Sequence, residues 1–174
     1  MSTHANGSAK KEDSGDCCRA VNREGLDLIA RWEGFVASPA PDPIGLPTVG
    51  YGHLCQQENC AEVKYEFPLT KATALQLLND DIPKYAICLA KHLNDDVRLN
   101  DNQWAALVSW VYNVGCDNAK TSTLVKRLNG GADPNTVAKQ ELPKWNKAGG
   151  KVWQGLVNRR ADEVRLFTTV PSKQ

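Results

Sequence analysis

The sequence predicts an α+β domain that is mostly helical and has a small β region near its N-terminus. Apolar residues recur at roughly helical spacing between residues 19 and 35. A stretch rich in proline and glycine follows at 37–54, and helical patterns occupy most of the remaining chain. Because the β signals are confined to one short segment, we expect the strands to be segregated from the helices.

The first two elements are a helix near 23–34 and a small hairpin. The helix should end at Gly34. Residues 37–54 contain four prolines and three glycines, which exclude a helix. Thr48, Val49 and Tyr51 favour a strand in that segment.

The later elements are predicted to be helices. Thr70 is expected to cap a second helix, which Pro83 should kink or split. Residues 102–114 are apolar nearly all round, which predicts a buried helix. Further short helices are predicted near 121–129, 134–141 and 155–167.

The length of 174 residues indicates one domain with a real core. We expect residues 1–18 to form a disordered or poorly ordered tail, residues 19–170 the domain, and residues 171–174 a second tail. Apolar residues make up 41% and charged residues 24% of the chain, as in soluble globular proteins.

Charge and hydropathy exclude several classes of protein. The net charge of +1 disfavours a strongly basic nucleic-acid binder. Residues 1–117 carry a net −6 and residues 118–174 a net +7, so one end could face a polyanion, or the two could simply be solvated faces of opposite sign. No apolar stretch approaches 18 residues, so we expect no membrane insertion.

Cysteine usage points to an oxidising compartment. Six cysteines are many for a cytosolic chain of this size. No apolar run follows Met1, so no signal peptide is expected here. A secreted, extracellular protein whose leader is not present in this chain would reconcile the two observations.

Glu33 is the first candidate for chemistry. It lies at the C-terminal end of the first predicted helix, between the apolar residues Trp32 and Phe35. The negative end of the helix dipole and an apolar environment both disfavour a charged carboxylate. A carboxyl group that keeps its proton is what a general acid needs.

Asp42 and Thr48 extend this candidate site. Asp42 lies in the proline- and glycine-rich segment, and Thr48 begins the predicted strand. Glycoside hydrolysis uses two carboxyl groups on opposite faces of one sugar bond. A helix end followed by a rigid loop and a hairpin can place Glu33 and Asp42 across a cleft. Otherwise Asp42 is a turn former and Thr48 a strand former.

Several motifs follow one another between about Gly25 and Phe167. They are Trp32-Glu33-Gly34, Asp42, Thr48-Val49-Gly50-Tyr51-Gly52-His53, Tyr112-Asn113-Val114-Gly115, the run Trp145 to Gly150, and Gly155 to Arg160. In this order they resemble the phage-type lysozymes of glycoside hydrolase family 24. The PIGLPTVGYGHLC segment and the paired cysteines resemble the secreted fungal members in particular.

The resemblance implies a lysozyme-like fold of two lobes with a cleft between them. It implies a muramidase that hydrolyses the β-1,4 bond between N-acetylmuramic acid and N-acetylglucosamine in peptidoglycan. Glu33 would be the general acid, and Asp42 and Thr48 would position the attacking water. The implied outcome is inversion at the anomeric carbon, which requires carboxyl groups roughly 6.5–9.5 Å apart.

The resemblance also assigns supporting residues. Arg159, or failing that Arg160, would pair with Glu33, and His53 would form a salt bridge with Asp81. Candidates to line the sugar subsites are Tyr112, Asn113 and Trp145, although Trp145 could equally be core. The remaining tryptophans that we expect in the core are Trp104, Trp110 and Trp153.

Two disulfides are predicted, although six cysteines allow 15 connectivities. Cys55 and Cys60 are close enough in sequence for a local bridge, and the resembling fungal proteins also have the pair Cys88 and Cys116. The adjacent cysteines at 17 and 18 could form a vicinal bridge, link a dimer or stay free.

We expect no metal and no cofactor. His53, Cys55 and Cys60 offer three ligand types to zinc, but no fourth ligand stands at a standard spacing.

The predicted function is lysis of bacterial cell walls by a monomeric muramidase whose partner is peptidoglycan. Two alternatives stay open. One is an enzyme of the same fold that acts on another polysaccharide, such as a chitinase or chitosanase. The other is a non-catalytic wall-binding or membrane-damaging antimicrobial protein, which the basic C-terminal part would suit.

Overall fold

The computed structural model describes residues 19–41 and 47–172. The first helix, α1, spans Arg23–Glu33. The side chain of Asn22 caps its start by accepting a hydrogen bond from the Gly25 amide at 3.1 Å. Gly34 ends it with a φ of 74°, a backbone conformation that favours glycine. Both predicted boundaries of this helix are confirmed to within a residue.

The β region is an antiparallel sheet of three short strands in the order β1-β2-β3. They span Val36–Pro41 (β1), Pro47–Gly50 (β2) and His53–Leu54 (β3). The predicted hairpin is thus extended by a further strand that begins immediately after α1. Ala40 pairs with Thr48, and Val49 pairs with His53, which places candidate site residues on neighbouring strands.

The second helix, α2, spans Lys71–His92 and is capped at Thr70, as predicted. Pro83 was expected to kink or split this helix; the split is wrong, because the helix runs continuously through Pro83, and the kink stays a prediction. Proline in a helix interior costs about 3 kcal/mol. Ile82, just before it, and Ala86, three residues after it, are both buried in the core, and their burial offsets this cost.

The rest of the fold is helical except for one hairpin. The remaining helices are α3 (Asp101–Val114), α4 (Cys116–Thr121), α5 (Thr123–Asn129), α6 (Pro134–Glu141) and α7 (Gln154–Thr168). Short 3-10 helices span Glu58–Cys60 and Leu142–Lys144. The hairpin pairs β4 (Lys147–Ala148) with β5 (Lys151–Val152). Neither α4 nor this hairpin was predicted.

Two apolar cores explain the two-lobed architecture. The larger core surrounds α3, whose Trp104 and Trp110 are fully buried, as expected. The smaller core lies under the three-stranded sheet and contains Val49 and Leu77. Because α2 contributes to both cores and Tyr51 packs against both, the lobes are joined through these elements.

Close packing of α1 on α3 depends on Gly25. A Cβ atom at this position would lie 2.6 Å from the Cβ of Ala105, far inside contact distance. The absence of a side chain therefore lets α1 and α3 pack closely. This packing fixes the position of Glu33 at the C-terminal end of α1.

Both predicted disulfides are present. Cys55 is bonded to Cys60, with Cα atoms 4.7 Å apart, and Cys88 to Cys116, with Cα atoms 6.0 Å apart. The prediction for cysteines 17 and 18 falls outside the described residues, as does the whole of the predicted N-terminal tail, residues 1–18. Within residues 19–41 and 47–172, none of the helices is long and apolar enough to cross a membrane.

Candidate active site

Glu33 is the centre of the candidate site. It is the last residue of α1, and its side chain is 21% exposed. Arg159, from α7, donates a hydrogen bond from Nη1 to Glu33 Oε1 at 2.7 Å. The two residues are 126 positions apart in sequence. The structure therefore brings together the acid and the arginine that the resemblance paired.

The turn between β2 and β3 packs directly against the Glu33 carboxyl group. Gly52 has a φ of 82°, and a Cβ atom there would lie 3.1 Å from Glu33 Oε2 and 3.2 Å from the Tyr112 hydroxyl oxygen. Glycine thus allows the small lobe to close on the acid. Only a residue without a side chain meets both demands, the positive φ and the close approach.

Tyr112 forms the other side of this contact. It lies on α3, is largely buried, and donates from its hydroxyl to the Tyr51 carbonyl oxygen at 2.7 Å. Burial, together with the negative charge of Glu33, raises the pKa of the Tyr112 hydroxyl. The hydroxyl therefore stays protonated and acts as a hydrogen-bond donor beside the acid.

Thr48 and Asp42 belong to the β1–β2 side of the site. Thr48 is half-buried on β2, and its hydroxyl donates to the Ala40 carbonyl oxygen at 3.4 Å, a long contact that leaves the group able to rearrange. Asp42 lies outside the described residues, so its distance from Glu33 stays a prediction.

His53 lies between two carboxylates. Its Nδ1 atom is 2.8 Å from Asp81 Oδ2, and its Nε2 atom is 3.0 Å from Glu62 Oε1. The contact with Asp81 is the main cause that raises the pKa of His53, and burial acts against it. The backbone amide of Gln56 donates to Glu62 and, with lesser contacts, lowers the pKa of that carboxyl to about 2. His53 therefore ties β3 to α2 and to the loop after β3.

The other predicted subsite residues lie further along the chain. Asn113 is exposed near the end of α3, and Trp145 is half-buried. The ring centroids of Trp145 and Trp110 lie 5.5 Å apart in an edge-to-face arrangement. Trp153 was expected in the core, and this is wrong: it is 59% exposed. It caps α7 just after the β4–β5 hairpin and donates from Nε1 to the Ala148 carbonyl oxygen at 3.1 Å, so the backbone of the hairpin satisfies its polar group.

One cluster of metal-ligating side chains occurs within the described parts of the chain. It is formed by Cys88, His92 and Cys116. Both sulfur atoms are joined in the disulfide, so they do not offer thiolates to a metal. His53, Cys55 and Cys60, the trio weighed from the sequence, do not form such a cluster in the described structure.

Sequence reasoning missed a buried acid behind the site. Glu163 on α7 is fully buried and contacts both Arg159 and Arg160. A signal was available, because the acid follows the two arginines by four and three residues on a predicted helix, the spacing at which side chains meet. Asp162 was also missed; it accepts a hydrogen bond from Trp32 Nε1 at 3.1 Å.

Comparison with known proteins gives this arrangement a family. The phage lysozyme family profile matches residues 30–163. The chain belongs to the phage lysozyme family.

Named relatives support this membership. An endolysin of Bacillus phage PZA is 37% identical over 154 residues, covering 86% of this chain and 55% of the relative. A SAR-endolysin of bacteriophage PS119 is 35% identical over 133 residues, covering 75% of this chain and 73% of the relative. The chain thus spans little more than half the length of the Bacillus phage relative that it matches.

Solved structures with the same fold include a phage endolysin and a muramidase domain. An endolysin from Escherichia coli O157:H7 phage FAHEc1 superimposes with a TM-score of 0.72 at 30% identity, over 89% of this chain and 98% of that one. The muramidase domain of SpmX from Asticaccaulis excentricus gives 0.72 at 28% identity, over 87% of this chain and all of that one. The likeness to secreted fungal members stays a prediction.

Proposed function

We propose that this protein is a muramidase that hydrolyses the β-1,4 bond between N-acetylmuramic acid and N-acetylglucosamine in bacterial peptidoglycan. The observation that carries the proposal is the environment of Glu33. Its carboxyl group lies at a helix end, held on one side by Arg159 at 2.7 Å and covered on the other by Gly52 and Tyr112. Membership of the phage lysozyme family and the structural likeness to the muramidase domain of SpmX support the same reaction.

Each role follows from what inverting hydrolysis requires. Glu33 would protonate the glycosidic oxygen as the bond breaks. Asp42 and Thr48 would position a water molecule on the opposite face of the sugar, which would attack the anomeric carbon and invert it. Arg159 and the Gly52 backbone would fix the Glu33 carboxyl group, because an acid contributes most when its proton already points at the leaving oxygen.

The proposal also covers the supporting residues, the oligomeric state and the compartment. Tyr112, Asn113 and Trp145 would contact the sugars, and His53 would hold the small lobe in place through Asp81. The protein would act as a monomer on the cell wall, without a metal or cofactor. The two disulfides support the proposal that the protein acts in an oxidising, extracellular compartment.

The experiment compares the parent with Glu33→Gln and Glu24→Gln on purified peptidoglycan. Glu24 lies on the same helix but is exposed at its first turn, so its variant controls for the loss of one carboxyl group. We expect new reducing ends from the parent and from Glu24→Gln, and at least a hundredfold fewer from Glu33→Gln.

Other outcomes separate the alternatives. Reducing ends from chitin but not from peptidoglycan would indicate a different polysaccharide. Cell killing or wall binding without reducing ends, unchanged in Glu33→Gln, would indicate a non-catalytic antimicrobial protein. The anomer of the first product, read by NMR, tests inversion; Asp42→Asn and Thr48→Ala test the placement of water.

A further inference from the structure

A buried cluster of charges lies directly behind the candidate acid. Its centre is Glu163, which has no exposed surface. Glu163 Oε1 accepts hydrogen bonds from the Ser109 hydroxyl at 2.9 Å, from Arg159 Nε at 3.3 Å and from Arg160 Nη2 at 2.8 Å. Its second oxygen, Oε2, is 2.6 Å from Arg160 Nε. Four contacts with donors therefore meet at one carboxyl group.

These contacts indicate that Glu163 is ionised. Burial raises the pKa of its carboxyl, whereas the two guanidinium groups and the Ser109 hydroxyl act against burial. One oxygen that accepts three hydrogen bonds has the coordination of a carboxylate, and both arginines are permanently charged. The cluster therefore carries two positive charges and one negative charge.

Arg159 is the link from this cluster to Glu33. Its guanidinium group is 4% exposed and uses three separate nitrogen atoms. Nε donates to Glu163, Nη2 to the Ser109 carbonyl oxygen at 3.3 Å, and Nη1 to Glu33. Because a guanidinium group is planar and rigid, anchoring two of its nitrogens fixes the direction in which the third points.

Glu163 also sets the charge that Glu33 faces. Burial lowers the pKa of Arg160, and the nearby charge of Arg159 adds to this effect. Without the carboxylate, two buried guanidinium groups would repel each other and together act on Glu33. Tyr112, on α3, adds a neutral hydroxyl near Glu33, and the β2–β3 turn adds only the uncharged backbone of Gly52.

We propose that Glu163 is a positioning residue for the reaction, which orients the Glu33 carboxyl group through Arg159 and balances the charge of the two arginines. The inference rests on the proposed function, in which Glu33 is the general acid. It adds that a second buried acid, away from the substrate, determines where that group points.

The test is Glu163→Gln, compared with Glu141→Gln as a matched control. Glu141 is also a buried acid, 4% exposed, and it also binds two cations, Arg127 at 2.8 Å and Lys144 at 2.9 Å. It lies at the end of α6, and neither of its ion pairs involves Arg159 or Glu33. Each variant therefore loses a buried carboxylate with two cationic partners, although the partners of Glu141 are more exposed than those of Glu163. Only Glu163 contacts the arginine that holds the acid.

The readouts are kcat, KM and the pH profile of peptidoglycan hydrolysis, with thermal unfolding measured in parallel. We expect Glu163→Gln to lower kcat about tenfold to a hundredfold and to change KM less than kcat. We also expect the alkaline limb of its pH profile to move to lower pH, because two uncompensated arginines make the acid lose its proton earlier. Glu141→Gln should keep the parent kcat and pH profile.

Two results would overturn the proposal. One is a Glu163→Gln variant that melts at a lower temperature yet keeps the parent kcat and pH profile, since Glu163 would then only stabilise the fold. The other is an equal loss of kcat and an equal shift of the limb in Glu141→Gln, since the effect would then follow from any lost buried ion pair.

A second variant covers the case in which Glu163→Gln does not fold. Glu163→Asp keeps the charge but shortens the side chain by one methylene, which breaks the contact with Arg159 Nε, already 3.3 Å long. We expect a lower kcat with an unmoved alkaline limb, and a parent-like kcat would count against positioning. An inactive parent, with Glu141→Gln equally inactive but folded, would instead refute the proposed function.

Discussion

Gly52→Ala is the substitution that tests most directly whether the close contact between the β2–β3 turn and the Glu33 carboxyl group matters for activity. The new methyl group would lie 3.1 Å from Glu33 Oε2 and 3.2 Å from the Tyr112 hydroxyl oxygen. Both distances are shorter than ordinary contacts of a Cβ atom, so the turn or one of the two side chains must move by a few tenths of an ångström. The substitution therefore perturbs the contact between the turn and the Glu33 carboxyl group without changing any ionisable residue.

The expected magnitude has two parts. Alanine at a φ of 82° costs about 1–3 kcal/mol of stability, and each kcal/mol lowers the melting temperature of a domain of this size by roughly 2–4 °C. Displacement of the acid adds a loss of kcat of about tenfold to a hundredfold, because the proton no longer points at the leaving oxygen.

Gly115→Ala separates the two parts. Gly115 has a φ of 85°, close to that of Gly52, but nothing lies within 4 Å of the position that a Cβ atom would take. Both variants should lose comparable stability in thermal unfolding. Only Gly52→Ala should lose activity in the reducing-end assay, run well below both melting temperatures. Parent-like activity of Gly52→Ala would refute the reasoning, as would an equal loss in Gly115→Ala.

Three further predictions concern stability. His53→Gln should lower the free energy of unfolding at pH 5, and the difference from the parent should shrink as the pH rises above 7. The reason is that the pKa of His53 is raised in the folded state, so its contribution is lost as the pH passes that value; a difference that grows with pH in urea titrations would contradict this. Replacing Cys88 and Cys116 together by alanine should cost roughly 3–4 kcal/mol, because the disulfide closes a long loop in the unfolded chain; a loss below 1 kcal/mol in denaturant unfolding would count against it. Tyr112→Phe should cost about 1–3 kcal/mol because it leaves the Tyr51 carbonyl without its donor, and unchanged urea unfolding would show that this hydrogen bond has no net value.

The sequence predicted the backbone conformation correctly wherever neighbouring residues determine that conformation. The cap at Thr70, the end of α1 at Gly34 and the extended conformation of residues 37–41 and 47–50 follow from side-chain hydrogen bonding, positive φ and the missing proline amide. The same rules could also have predicted the second hairpin. Gly149 and Gly150, both at positive φ, form the tight turn between β4 and β5.

Errors arose where packing overrides local preference. Pro83 was expected to kink or split a helix, yet α2 continues through it because Ile82 and Ala86 on the same helix are buried in the core. Trp153 should be buried by its size, yet it lies on the surface, where the backbone of the preceding hairpin satisfies its N–H group. Neither outcome follows from neighbouring residues in the sequence.

The candidate site divides in the same way. Glu33 could be chosen from the sequence because it lies at the end of an apolar helix and is followed by a loop with a second carboxylate, a pattern that suggests a pair of catalytic acids. The family resemblance of the surrounding motifs then added Arg159 and His53 to the candidate site. Only the tertiary structure decided how closely Gly52 approaches the acid, and that Arg159 and Glu163 on α7 lie against Ser109 on α3 and Glu33 on α1. These are distances between segments far apart in the chain, set by how α1, α3 and α7 pack, and spacing along a sequence carries no information about such distances.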